Sequence, residues 1–202
     1  MVAVVDNQLW RGHVGDSIRK HFAAPIVGMP MDEPLFSIDQ IDPKFFTGSI
    51  RNTRSILYVT KDSLNLAHIK KDMYATPQRV GVIKGTTDSE ILENLGEKAD
   101  DIIDSFRASE ISAAQQRFER SLNKSSVLQD EFGISLKIPS IYKTGKHEDN
   151  FVWIDREIHK GTANIIAYTM PSDSFNDQET LIKDIVAMRD SIGEKYIPGT
   201  DV

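Results

Sequence analysis

The apolar positions along the chain change their spacing several times, and each change marks an element. "VAVVD" opens as a strand-like run. From about Gly12 to Ala24 the period becomes helical, with Val14, Ile18 and Phe22 on one face, until Pro25 and the "GMPMDEP" tract stop it. "IDPKFF" places Asp42 at an N-cap and Pro43 at the first helical position. "RSILYVT" (54–60) and "QRVGVIKG" (78–85) read as strands, and Asp62 between them as the cap of a helix running to about Met73.

After the second of these strands, Thr87 and Glu90 form a T-x-x-E capping box. Ile91, Leu95, Ala99, Ile102 and Phe106 make one apolar stripe; Ile111, Ala114, Phe118 and Leu122 make a second, out of phase with it. The pair predicts one long helix, or two with a break near Arg107 to Glu110. From Gly133 the texture turns to strands: "ISLKIP" (134–139), "NFVWIDREI" (150–158) and "ANIIAYT" (163–169), with "YKTGKHEDN" as a polar turn between the first two. A helix from about Asn176 to Tyr196, capped by Asn176 and Glu179, follows them. This order predicts an α+β fold, a mostly antiparallel sheet layered against helices in two βα-type halves. The halves are 1–132, an α/β half with a long C-terminal helix, and 133–202, a βββα half packed on the first as one unit.

Composition narrows the function more than the fold. At 202 residues and 40% apolar content the chain is a soluble, globular type, able to bury ~70% of its unfolded surface. Lys and Arg number 24 against 30 Asp and Glu, a net charge of −6, and the cations are scattered. That excludes nucleic acid as a principal partner. No apolar run approaches the roughly eighteen residues a membrane span needs, and "MVAVVD" carries no charged leader region. A chain that opens directly in a strand reads as a mature domain whose leader has been removed. With no cysteine, disulfides, thiolate catalysis and thiolate metal sites are excluded.

Candidate chemistry begins at "LWRGHVGDSIRK". Ser17 and Lys20 form S-x-x-K, and Ser121-Leu122-Asn123 and Lys143-Thr144-Gly145 complete, in order, the triple of penicillin-recognising serine enzymes. Those enzymes need K-T-G on a strand beside the serine, whereas here it reads as a turn, and Ser121 falls late in a charged helix. The bland account of Ser17, a hydroxyl suited to the first turn of a helix, is preferred. "GHVGDS" fits neither the Walker loop nor the dinucleotide fingerprint, and Asp16 would set a charge against a phosphate. Asp155, Glu157 and His159 alternate onto one strand face, near His147, Glu148 and Asp149. Such a face is more often solvated than ligating, so no metal and no cofactor is expected. Trp10, Arg11 and Asp16 are the candidate binding residues, since an aromatic and an arginine after the first strand are the types that dominate binding hot spots. The competing account, Trp10 closing the core edge and Arg11 pairing with a nearby carboxylate, carries more weight.

Five tracts, "LWRGHVGDSIRKHF", "TPQRVGVIKG", "EFGISLKIP", "HEDNFVWIDRE" and "MRDSIGEKYIPG", together resemble the Bacteroidetes cell-envelope proteins of domain of unknown function 4837, over nearly all of the chain. The resemblance implies an exported lipoprotein on the periplasmic side of an envelope membrane, its lipid-bearing cysteine upstream of Met1. It implies further strands beyond the "KYIPG" tract, and so self-association of this chain, centred after Gly133. It supplies no catalytic residues. The function expected is a non-enzymatic module binding an envelope protein, glycan or lipid. The alternative is a hydrolase of envelope material, centred on Ser17 and Lys20 or on the face of Asp155, Glu157 and His159.

If Ser17 is a helix-start residue, Ser17→Ala shifts stability by no more than ~1 kcal/mol in denaturant melts. Fluorescent penicillin leaves the protein unlabelled; covalent labelling lost in the mutant would overturn this.

Overall fold

The structure, a computed structural model, describes residues 1–29, 31–159, 161–175 and 177–197. The chain divides into two compact units, Met1–Ala114 and Gln115–Val202.

The first unit is built on five strands, β1 (Val2–Val5), β2 (Asp39–Ile41), β3 (Ser55–Lys61), β4 (Leu66–Lys71) and β5 (Arg79–Gly85), in the order β2-β1-β3-β5-β4. β1 pairs in parallel with both β2 and β3, and β3 with β5; β4 alone runs antiparallel. The α+β class holds, but this sheet is mixed, and its centre is parallel where the sequence suggested antiparallel pairing. The cause lies in burial. All four residues of β1 are buried, and the neighbours β3 and β5 are nearly so, the signature of strands covered on both faces.

Alternation sorts those side chains. Ala3, Val5, Leu57, Val59 and Ile83 point to a face covered by two helices, α2 (His13–Phe22) and α3 (Asp88–Phe118). The stripe Val14, Ile18, Phe22 meets the stripe Ile91, Leu95, Ala99, Ile102, Phe106 there, with Phe22 and Phe106 ring centroids 6.5 Å apart. α3 is one helix of 31 residues. Its second stripe is not core, since Ile111 and Phe118 are exposed. On the opposite face Val2, Val4, Ile56, Val80 and Val82 are covered by Phe46 and Tyr74, whose rings meet edge to face at 5.2 Å. The 3₁₀ turns Pro43–Phe45 and Gly48–Asn52 bring Phe46 there, the first capped by Asp42 as its sequence predicts.

One expected helix is a strand. Asp62 accepts hydrogen bonds from the Leu64 N–H (3.1 Å) and the Lys84 ammonium (2.6 Å), which makes a turn rather than a cap. Leu66–Lys71 then finds a six-residue partner in β5, and tertiary pairing outweighs local helix preference. The return from β4 to β5 is fixed by Gln78, fully buried in spite of its amide. Its Nε2 donates to the carbonyls of Arg51 and Thr53, both at 2.7 Å, and its Oε1 accepts from the Tyr74 N–H at 2.9 Å.

In the second unit β6 (Lys143–Glu148), β7 (Phe151–Ile158) and β8 (Gly161–Tyr168) form an antiparallel sheet, the pairing the sequence suggests. Val152 and Ile154 pack on Leu128 of the short helix α4 (Val127–Phe132) and on Ile138. On the other face Phe151 stacks on Tyr196 of α5 (Leu181–Tyr196), centroids 4.1 Å apart. "ISLKIP" is not a strand. Gly133 ends α4 in a left-handed conformation, and Pro139, without an N–H to donate, makes only an isolated bridge to Leu122. K-T-G is not a turn either, because it begins β6; the reversal lies after it, with Asn150 at φ 61°. Of the capping pair expected for α5, Asn176 lies outside the described residues, and Thr180 occupies the N-cap position.

Gln78→Ala strands three backbone groups in an apolar interior, each worth ~1 kcal/mol or more. We expect a loss of about 3 kcal/mol, read from the urea midpoint at unchanged m-value.

Candidate functional site

In a sheet whose central strands are buried on both faces, polar side chains are displaced to the strand ends. β1 and β3 lie side by side and parallel, yet leave the sheet in opposite directions: β1 through α1 (Asn7–Arg11) and α2 to β2, β3 through a turn to β4. Such a divergence opens a crevice beyond the carboxyl ends of the strands, where open α/β sheets bind ligands.

A cavity of about 350 Å³ occupies that position, lined by Asp6, Gln8 and Leu9 after β1, Thr60 and Lys61 at the end of β3, and Asp88 at the start of α3. The Lys61 ammonium lies 2.8 Å from Asp88 Oδ1. Asp6 caps α1, its Oδ1 accepting from the Gln8 N–H at 2.7 Å. Behind the rim, Gln40 donates to the Val5 carbonyl (2.9 Å) and to Asn7 Oδ1 (3.1 Å), while Asn7 donates to Asp42 (2.9 Å). These bonds hold the β1 exit in place without filling the cavity.

The positive end of α3 also faces this mouth, and the chain's own acids answer it. Glu90 accepts from the Thr86 N–H (2.7 Å) and hydroxyl, and Thr87 Oγ1 accepts from the Glu90 N–H (3.2 Å). The expected capping box is thus present, displaced by one residue on its return arm. With two carboxylates against one ammonium, the lining disfavours anions. Leu9 is its single apolar residue, so it offers little to an acyl chain.

Residues 1–119 match the family model of Domain of unknown function (DUF8532), and residues 121–202 that of Domain of unknown function (DUF4837). The chain belongs to the DUF8532 family and carries a DUF4837 region after it. The DUF4837 likeness therefore covers the last three of the five tracts quoted above, while "LWRGHVGDSIRKHF" and "TPQRVGVIKG" fall in the DUF8532 part. No curated protein and no solved structure matches the chain. The crevice lies wholly within the DUF8532 region.

Trp10, Arg11 and Asp16 sit beside the mouth rather than in it. The expected loop is helical, broken only at Gly12 between α1 and α2. At Gly15 a Cβ would lie 1.8 Å from the Trp10 carbonyl oxygen, so the two short helices cross backbone to backbone. Arg19, a residue not singled out from the sequence, joins two of the three candidates. Its guanidinium lies 4.5 Å from the Trp10 ring centroid, donates to the Trp10 carbonyl (3.3 Å) and pairs with Asp16 at 2.7 Å. Arg11 is exposed at the end of α1. The signal for Arg19 was its i,i+3 spacing from Asp16. The mouth residues left a fainter one, a polar residue directly after each of two apolar strands.

The other motif residues scatter. Asn123 Nδ2 donates to the Tyr142 carbonyl (2.7 Å), bringing S-x-N beside the K-T-G strand, and Ser121 Oγ meets Ser140 Oγ at 2.8 Å. Ser17 and Lys20 belong to the other unit, on α2. His147 Nε2 pairs with Glu131 at 2.7 Å, while Asp155 lies opposite Asn164. Among the described residues no three His, Asp or Glu side chains are gathered as a metal would need.

The Lys84 ammonium, with the Leu64 N–H, holds the Asp62 carboxyl below the usual carboxylate range. A depressed carboxylate lends stability above its unfolded pKa and loses it as pH falls through the folded value. Lys84→Met is therefore expected to move the Asp62 titration upward, toward the ordinary value, in a carboxyl-detected NMR titration. An unmoved midpoint would show that the turn N–H groups alone set it.

Proposed function

We propose that this protein is a non-catalytic binding module of the cell envelope, and that the mouth between β1 and β3 recognises a glycan. The observation that carries the reading is the lining of the 350 Å³ cavity: Asp6, Gln8, Thr60, Lys61 and Asp88 around a small apolar floor at Leu9. Neutral sugars present hydroxyls that donate to carboxylates and accept from ammonium and amide groups, so a mixed lining of low net charge suits them. The cavity falls at the low end of the range for small-ligand sites, roughly 300–1,000 Å³. That is room for one or two sugar rings, not for a folded partner.

The placement in the envelope is part of this proposal: residues 121–202 match DUF4837, and the resemblance drawn from the sequence tracts implies for that family a lipid anchor and a periplasmic address. In that setting soluble or wall-attached glycans are at hand. A binding role asks of the mouth only what it offers, fixed donors and acceptors around a preformed space.

Calorimetric titration with soluble glycan fragments from envelope digests tests this. Binding at micromolar to millimolar concentration is expected. Asp88→Asn, which removes one acceptor charge and the Lys61 pair, weakens it about tenfold, the effect of roughly one charge-assisted hydrogen bond. Absence of binding to any fragment, or binding indifferent to Asp88, would reject the mouth as a glycan site.

A further inference from the structure

The three-stranded sheet of the second unit has two edges of opposite character. β6 is blunted: its register shifts between Thr144 and Lys146, and it carries Lys143, Lys146, His147 and Glu148, with Lys146 paired to Glu148 at 2.9 Å. β8 has none of these devices. "GTANIIAY" contains no charge and no proline, and pairs with β7 without a shift over all eight residues, from Gly161 opposite Ile158 to Tyr168 opposite Phe151. Among the described residues no strand lies on its outer side. Natural sheets protect their edges, and one left straight, long and uncharged is a template for strand addition.

We infer that β8 pairs with the β8 of a second copy of this chain, antiparallel across a two-fold axis, to make a continuous six-stranded sheet. The sequence of the strand argues for itself as the partner. A two-fold perpendicular to the sheet keeps like faces together, so paired residue numbers sum to an even value. Centring on Ile165 opposes Asn164 with Ile166, Ala163 with Ala167 and Thr162 with Tyr168 of the partner, and no like charges meet anywhere along the strand. On one face the pairing joins Ile165 and Ala167, which already pack on Val152 and Ile154, to their counterparts and extends that apolar cluster. A self-pairing of this kind is closed and stops at a dimer, since each copy's other edge is the charged and bulged one.

On the other face lies α5, which has no buried residue. The Tyr168 hydroxyl of β8 donates to its Met188 sulfur at 3.1 Å. One turn from Met188, Ile185 is 42% exposed, and Ile182 beyond it is 60% exposed. Two copies joined at β8 would bring two such helices onto one face of a shared sheet.

Sedimentation of the full chain across a concentration series is expected to show a reversible monomer–dimer equilibrium. Asn164→Lys sets a lysine opposite Asp155 within its own sheet, a favourable pair, but brings two lysines near each other across the two-fold. The dimer should weaken about tenfold or more, with the dilute monomer still folded and its melting temperature lowered only by loss of the exposed Trp153 Nε1–Asn164 Oδ1 bond (2.9 Å). Because the native chain contains no cysteine, a mixture of Ala163→Cys and Ala167→Cys chains forms a crosslinked dimer on oxidation while neither chain alone does. A monomer at all concentrations overturns the inference. So does a dimer that Asn164→Lys leaves intact, or one in which the mixed cysteines do not crosslink.

Discussion

Burial of β1 on both faces is the constraint from which the first unit follows. Four consecutive residues without access to water must find all their backbone hydrogen bonds in neighbouring strands and all their side-chain contacts in covering layers. β2 and β3 supply the first; α2 and α3 on one side and the Phe46–Tyr74 aromatic pair on the other supply the second. The requirement also fixes where polar chemistry can occur. With the sheet interior closed to charge, Asp6, Lys61 and Asp88 collect at the carboxyl ends of the strands, and Arg54, Ser55 and Glu110 at the other. There Arg54 grips both oxygens of Glu110, a contact that ties the start of β3 to α3. Each end keeps a space of about 350 Å³: at one it adjoins the Arg54–Glu110 ion pair, at the other it lies between Asp6, Lys61 and Asp88.

The strongest periodicities were legible in the sequence. Val14, Ile18 and Phe22 and the Ile91 to Phe106 stripe are core, β3 and β5 lie within a residue of their expected bounds, and Asp42 caps the turn assigned to it. What was illegible depended on partners distant in sequence. Leu66–Lys71, read locally as helix, becomes a strand because β5 is there to receive it. The "KTGKHE" tract looks like a turn because every one of its residues is polar or glycine; as an exposed edge strand it has little reason to be otherwise. "ISLKIP" has the apolar alternation of a strand and uses it differently, burying Ile138 against Val152 and leaving Leu136 outside.

The candidate site was illegible for the same reason. Its residues come from three separate places in the chain, and none belongs to a motif. Only the strand order, in which β1 and β3 become neighbours while their continuations diverge, gathers them. Trp10 and Asp16, conspicuous by residue type, turn out to be joined through Arg19 in a contact that braces α1 against α2. Residue type marks chemical capacity, whereas topology decides which capacities meet.

Close approach of α3 to β5 has a further consequence, for the order in which the molecule opens. Gly81 lies under Ile102, where a Cβ would come within 2.8 Å of its side chain, and Gly85 lies under Glu90 and Ile91, with 2.9 Å to the backbone nitrogen of the latter. At Gly85 the strand meets the helix backbone itself, and at Gly81 only the Ile102 side chain lies between them, with no room for a further layer. A helix seated this closely cannot lift at one end to admit solvent while the strand beneath stays paired. β5 and the stretch of α3 from Glu90 to Ile102 are therefore expected to exchange their amide hydrogens as one cooperative unit, exchange on that strand reporting the departure of the helix.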